Sequence, residues 1–243
     1  MICSRGYVPF DRVAHYGEDG LYTVHNDGFA REAAFLDAYV RGVAAGHGVD
    51  PHTRWRIHVA LWAARSALRV PGDFVECGVN AGMVSSAVMR YLDWARLDRT
   101  YYLIDTFAGP VLEQFSAEEH QSGWVKLVQQ AVDTGGYVTD IDRVRANFAE
   151  WPNAVVVQGV VPDVLPSTAI RRVSFLHLDL NCAAPERAAL EYFWPRIEPG
   201  GFVLFDDYAF HGVPAQKQAI DDWAAASGAA VLSLPTGQGL IVR

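Results

Sequence analysis

Four apolar runs of this chain end in acids: Phe74–Cys77 with Glu76, Thr100–Ile104 with Asp105, Val173–Leu178 with Asp179, and Gly201–Phe205 with Asp206 and Asp207. One acid after an apolar run reads equally well as the cap of a following helix. Four of them, one leading into a glycine turn, point to a shared crevice, since ligands of an open α/β sheet bind beyond the carboxyl ends of its strands. Glu76 opens the spacing Glu-x-Gly-x-x-x-Gly through Gly78 and Gly82, and Met83, Val84, Ala87 and Val88 follow at helical spacing. A strand, a glycine turn and a helix start make a nucleotide cradle, because glycine admits a ligand to the backbone and the helix start offers free N–H groups. Glu76 is suited to accept hydrogen bonds from a ribose diol or an amino group. Asp105 falls where the ribose of such a ligand would lie; the alternative is a turn former in Asp-Thr-Phe-Ala-Gly.

Asp179, Asp206 and Asp207 suggest different chemistry. Carboxylates crowded into one crevice are costly unless a cation neutralises them or one takes a proton. Oxygen donors without a Cys or His cluster favour a hard cation such as Mg²⁺, and Asn181 can add an amide oxygen. The alternative is that Asp207 caps a helix and Asp206 is solvated. His177, two residues before Asp179, shares its side of the strand; a histidine there more often belongs to the core than acts as a base.

The elements that must position these groups alternate. Helices are expected over residues 31–43, 52–68, 84–94, 140–151, 185–196 and 216–226, and strands over 74–77, 100–104, 154–158, 173–178, 201–205, 230–234 and 239–242. Near-continuous apolar strands between helices mean a mostly parallel sheet covered on both faces, with the last pair antiparallel at one edge. Residues 1–69 read as an N-terminal arm with two helices, and 70–243 as the core. An insertion over about residues 108–138 carries one weak helical segment near 123–131, and such long connections are commonly functional. The first 30 residues are aromatic without clear period (Tyr7, Phe10, His15, Tyr16, Tyr22, His25, Phe29). They suit a surface arm packed on the domain, or one that closes over a substrate or crosses to a second copy in a homodimer or larger homo-oligomer.

A net charge of −8 supplies no basic field for nucleic acid or an anionic membrane. No apolar run approaches the ~20 residues of a membrane span, and no signal-peptide pattern opens the chain. Cys3, Cys77 and Cys182 show no paired spacing, which fits a reducing, cytoplasmic setting, and the Cys77 side chain reads as a small core residue.

Five stretches occur in an order that resembles the class I S-adenosylmethionine-dependent methyltransferases, and within them the macrocin O-methyltransferase (TylF-type) family. They are FVECGVNAG at Phe74, LIDTFAGP at Leu103, VVVQGVVPDVLP at Val155, FLHLDLN at Phe175 and FWPRIEPGGFVLFDDY at Phe193. The resemblance spans residues 70–208, and the Pro-Gly-Gly to Asp-Asp-Tyr stretch is its most specific part. It implies a Rossmann-like α/β fold with a mostly parallel seven-stranded sheet, helices on both faces and an antiparallel C-terminal edge strand. It also implies S-adenosylmethionine over a cradle of Glu76, Cys77, Gly78, Asn80 and Gly82, continued by Asp105, Thr106 and Phe107. Asp179, Asp206 and Asp207 correspond to the family's Mg²⁺ ligands. The implied reaction is O-methylation of a small-molecule hydroxyl, such as that of a sugar on a glycosylated natural product. The base would be Asp179 or a histidine, with His211 the first choice, then His177 and His120. The family's Asp-x-Asp-Tyr is here Asp179-Leu180-Asn181-Cys182, one negative charge fewer beside the cation. That departure keeps alive a metal-independent methyltransferase with an Asp or His base. A non-catalytic S-adenosylmethionine-binding module would leave the carboxylates surplus. An NAD-binding oxidoreductase lacks its Gly-x-Gly-x-x-Gly spacing.

Overall fold

The computed structural model describes residues 14–46, 48–212 and 214–243; Cys3, Tyr7 and Phe10 of the arm lie outside the described residues. Its centre is a seven-stranded sheet in the order β5 (Ala154–Gln158), β4 (Tyr101–Asp105), β3 (Asp73–Cys77), β6 (Val173–Leu178), β7 (Ile197–Phe205), β9 (Gly239–Val242), β8 (Leu232–Ser233). The first five are parallel and β9 runs antiparallel to both its neighbours. The expected terminal pair is therefore present, but β9 is slotted inside and the two-residue β8 forms the edge. Strand order reverses between β4 and β6 on either side of β3, and that switch point opens a crevice above the carboxyl end of β3.

Burial explains why these runs read as strands. Every residue of β6 is buried, as a strand covered on both faces must be. Alternation along the strands then builds two cores. Phe74, Leu103, Phe175, Phe202 and Leu204 face one side, under α1 (Ala33–Ala45), α2 (Arg54–Ala67), α3 (Met83–Tyr91) and α6 (Ile141–Phe148). Val75, Cys77, Ile104, Leu176, Leu178 and Val203 face the other, under α7 (Ala183–Phe193) and α8 (Pro214–Ser227). Helices α1 and α2 thus bury Phe35, Tyr39, Ile57 and Leu61 in the same core as the central strands.

Two elements differ from the sequence expectation. The insertion holds two helices, α4 (Ala117–Gln121) and α5 (Trp124–Asp133). Five residues are too few for a hydrophobic period to show α4; its sign is the capping box, in which Ser116 Oγ accepts from Glu119 N while Glu119 accepts from Ser116 N. The aperiodic arm contains a hairpin, β1 (Tyr16–Glu18) and β2 (Leu21–Thr23), turning at Asp19 and Gly20 with φ of 51° and 73°. Asp-Gly suits a turn needing two positive φ values, and each strand is three residues long, too short for alternation to register. The hairpin lies on its own chain's α2, where Tyr16 Oη accepts from Trp55 N at 3.3 Å and Arg54 pairs with Glu18.

Candidate active site

Beyond β3, Gly78 has φ 89°. A Cβ there would lie 1.8 Å from the carbonyl oxygen of Asp179, so the adjoining end of β6 demands glycine before any ligand does. Gly82, φ 91°, caps α3 without a side-chain bond, and a Cβ on it would meet the Phe148 ring at 2.4 Å. The first N–H groups of α3 are therefore left without a capping side chain beside the crevice.

Asp105 holds this turn in place. Its Oδ2 accepts from the backbone N–H of Val79 (2.8 Å) and Asn80 (2.9 Å), and its Oδ1 from that of Phe107 (2.7 Å). Thr106 Oγ1 lies 3.3 Å from Oδ1 as well, so both carboxylate oxygens are engaged by the chain. Asn80 is also engaged, donating to Gly136 O and accepting from Val138 N, and so ties the turn to the insertion. Thr106 Oγ1 donates to Gly109 O and accepts from Ala108 N, shaping the loop around the buried Phe107, whose φ is 48°. The Cys77 thiol is fully buried in the α7–α8 core, and burial raises its pKa; only its backbone belongs to the cradle.

Glu76 and His177 are cross-strand neighbours on the α2 face. Glu76 Oε1 lies 3.0 Å from His177 Nδ1, and Nε2 of the same ring lies 3.7 Å from Asp206 Oδ1. Burial opposes charge on the imidazole, but the hydrogen bond to Glu76 and the nearby charges of Asp206 and Glu76 outweigh it and raise its pKa to about 10. A buried imidazolium between two carboxylates is a counter-ion. Glu76 Oε2 is buried and has no hydrogen-bond partner among the described residues.

The acid centre is finished by α2. Arg56 is 8% exposed. Its Nη1 meets Asp206 Oδ2 at 2.7 Å, Asp206 O at 3.1 Å and Asp207 Oδ1 at 3.2 Å, and its Nε meets Asp19 Oδ2 at 2.6 Å. Burial would raise Asp206, but Arg56 and His177 overcome it and hold its carboxyl well below the usual range. Gln238 Nε2 donates to Asp206 Oδ1 at 2.9 Å. Asp207 goes the other way: burial and the charge of Asp206 push it up to about 6. Asp179, raised by burial and by both neighbouring acids, makes no ion pair among the described residues; its one side-chain bond is from Asn181 Nδ2 at 3.3 Å.

These groups line a cavity of about 400 Å³ that brings together Arg56, Glu76, Gly78, Asn80, Asp179 and Asp206. A narrower crevice next to it joins Gly78, Asp105, Thr106, Gly159, Asp179 and Asn181 with Tyr137 of the insertion. Asp207 reaches the centre through Arg56. His211 is exposed on the turn after Asp207, and His120 is exposed on α4; neither bonds to the acid centre among the described residues. Among the described residues no set of three His, Cys, Asp or Glu side chains is already gathered around one point as metal ligands.

Residues 57–231 match the model of the macrocin-O-methyltransferase (TylF) family. The chain belongs to this family. It is 26% identical over 211 residues to the mycinamicin III 3''-O-methyltransferase of Micromonospora griseorubida, covering 82% of this chain and 80% of that one. It is 32% identical over 165 residues to the 8-demethyl-8-(2,3-dimethoxy-alpha-L-rhamnosyl)-tetracenomycin-C 4'-O-methyltransferase of Streptomyces olivaceus, covering 65% and 60%. The O-methyltransferase NovP has the same fold, with a TM-score of 0.66 at 23% identity over 77% of this chain and 79% of that one. The macrocin-family chain described here is thus an O-methyltransferase on a mostly parallel seven-stranded sheet.

Several residues that shape the candidate site escape sequence reading: Arg56, Asp19, Gln238, Tyr137 and Glu186. Arg56 alone left a sign. It stands on the helical face of Ala60, Ala63 and Ala67, all buried, where a charge needs a partner. Glu186 at the start of α7 accepts from Leu180 N (3.2 Å) and Gln216 Nε2 (2.8 Å), and Trp124 Nε1 donates to Asn181 O (2.8 Å); together they fix the turn after Asp179.

Proposed function

We propose that this chain transfers the methyl group of S-adenosylmethionine to a hydroxyl of a small molecule, a sugar on a glycosylated natural product. The observation that carries the reading is the meeting of two half-sites in one cavity: the Glu76–Gly82 cradle and the acid centre of Asp179 and Asp206. The named relatives are O-methyltransferases of mycinamicin III and of a rhamnosyl tetracenomycin.

The cradle fits the methyl donor. Glu76 Oε2 is an acceptor buried without a partner, suited to a ribose hydroxyl or an ammonium group. The uncapped start of α3 suits a carboxylate, and Asp105 holds the turn beside it. Asn80, Thr106 and Phe107 hold the walls. When bound, S-adenosylmethionine supplies an electrophilic methyl on a sulfonium. The chain's task is then to bring an oxygen nucleophile into line, keep water out and remove one proton. Asp179 is the base in this reading: it lines both crevices, and burial together with the neighbouring acids raises its affinity for a proton above that of an ordinary carboxylate. His177 is already charged and holds Glu76 and Asp206 in place.

The donor set also fits a divalent hard cation. Asp179, Asp206 and Asp207 offer oxygen only, and Asp179 makes no salt bridge among the described residues. These three would hold Mg²⁺, which when bound supplies Lewis acidity toward the acceptor hydroxyl. A specific observation favours a metal-independent variant: Arg56 already neutralises Asp206 and Asp207. Self-association through the arm completes the proposal and is measured by light scattering. The deciding experiment is an acceptor screen of glycosylated macrolides, anthracyclines and catechols with labelled S-adenosylmethionine, run with Mg²⁺ and with excess chelator. Transfer to a sugar hydroxyl is the expected result. Transfer to none of these classes would overturn the reading, and full activity in chelator would select the metal-independent form.

A further inference from the structure

Arg56 holds the acid centre in a way that the proposed reaction does not require. Its guanidinium reaches Asp206 and Asp207 through Nη1 and, on a different nitrogen, Asp19 through Nε. The carboxylates that would take a divalent cation are thus in contact with a cation that the chain itself supplies. Two positive charges on the same pair of carboxylates repel, and a guanidinium and an ion cannot both take Asp206 Oδ2 at bonding distance. We infer that Arg56 is a resident counter-ion of this centre, that a divalent cation must displace it from Asp206 and Asp207, and that Asp19 is the carboxylate that keeps it paired when displaced.

Asp19 makes the exchange feasible. A buried guanidinium stripped of its partners would be strongly disfavoured, but the contact to Asp19 at 2.6 Å does not depend on Asp206 or Asp207. The Phe210 ring, 5.1 Å from the guanidinium carbon, gives the charge a second favourable surface. The hairpin turn that presents Asp19 is anchored independently by Tyr16 on Trp55 N and by Glu18 on Arg54. The hairpin therefore gains a role in setting cation affinity without contacting the cation. This inference rests on the cation part of the proposed function.

The test is Mn²⁺ binding, followed by loss of the free-ion electron paramagnetic signal, in salt high enough to screen long-range fields. Arg56→Gln removes the competitor and should tighten Mn²⁺ by about tenfold or more. Asp19→Asn strands the displaced guanidinium and should weaken it several-fold. Glu18→Gln makes the same charge change on the same hairpin, but Glu18 pairs with Arg54, so Mn²⁺ affinity should stay within about twofold. If Arg56→Gln fails to fold, the wild-type protein decides: the Arg56 Nη–H resonances, restricted in the apo protein, should lose that restriction as Mg²⁺ saturates. Equal Mn²⁺ affinity in the wild type and Arg56→Gln, or equal shifts from Asp19→Asn and Glu18→Gln, would overturn the exchange and leave the cation reading standing. Absence of Mn²⁺ binding in every form would overturn both.

Discussion

The two halves of the site are built from different materials. The cradle is assembled by neutral backbone groups: three N–H groups converge on Asp105, and the crossing at Gly78 is set by steric contact with the end of β6. The acid centre is assembled by charges from remote elements: Arg56 of α2, His177 of β6 and Asp19 of the hairpin surround Asp206 and Asp207. Hydrogen bonds among fixed backbone groups tolerate little adjustment. Ion pairs between side chains can be exchanged for others of like charge. The cradle is therefore preorganised, and the acid centre is adjustable.

If that contrast holds, the largest effect belongs to Gly78→Ala. Its Cβ would clash with Asp179 O at 1.8 Å and its φ is left-handed, so a stability loss above ~3 kcal/mol is expected, or no soluble protein. A melting temperature within a few degrees of wild type would remove the steric account of the cradle. Next comes Asp206→Asn, which keeps the shape but removes the charge that Arg56 and His177 both face. Methyl transfer should fall ~100-fold or more while S-adenosylmethionine affinity holds, read as kcat against cofactor Kd.

Asp105→Asn should do the reverse. An amide can turn only one acceptor oxygen to three converging N–H groups, which costs ~2 kcal/mol and weakens the cofactor more than the acceptor. Calorimetric titration with S-adenosylhomocysteine measures it, and unchanged affinity would place Asp105 outside the cradle's function.

Glu186 tests the adjustable half through pH. Burial, reinforced by Asp207, raises its pKa from 4.5 to about 8. A carboxyl raised on folding binds its proton more tightly in the native state, so its contribution to stability is full below about pH 4.5 and is lost as pH rises toward 8. Glu186→Gln stays neutral and should lose this slope, melting above wild type at pH 9 by more than at pH 5. Parallel melting curves across that range would contradict a protonated Glu186. The smallest effect is expected from Trp124→Phe, which leaves Asn181 O without its donor, at ~1 kcal/mol in thermal melting.

The cradle was largely legible before folding because its cause is local. The central parallel strands β3 and β6, buried along nearly their whole length, must read as apolar runs, and the ends of such runs mark where a crevice opens; Glu76, Asp105, Asp179, Asp206 and Asp207 follow from that rule alone. Gly78 is legible as a turn glycine, but the structural reason for it is chain packing against Asp179 O. Asn80 reads from the sequence as a cradle residue, and only the structure adds that its amide group ties the turn to Gly136 and Val138. His177 was correctly placed on its strand, but its state depends on carboxylates contributed by two other strands.

By itself, then, the sequence determined the order and type of the central strands, the glycine turn and the gathering of acids at one end of the sheet. Periodicity and turn chemistry act over a few residues. Only the tertiary structure decided which cation those acids meet. Arg56 and Asp206 are 150 positions apart, and Asp19 joins them through a hairpin too short to carry a period. Their meeting is set by how α2 lies across the sheet, a packing outcome that no local pattern encodes.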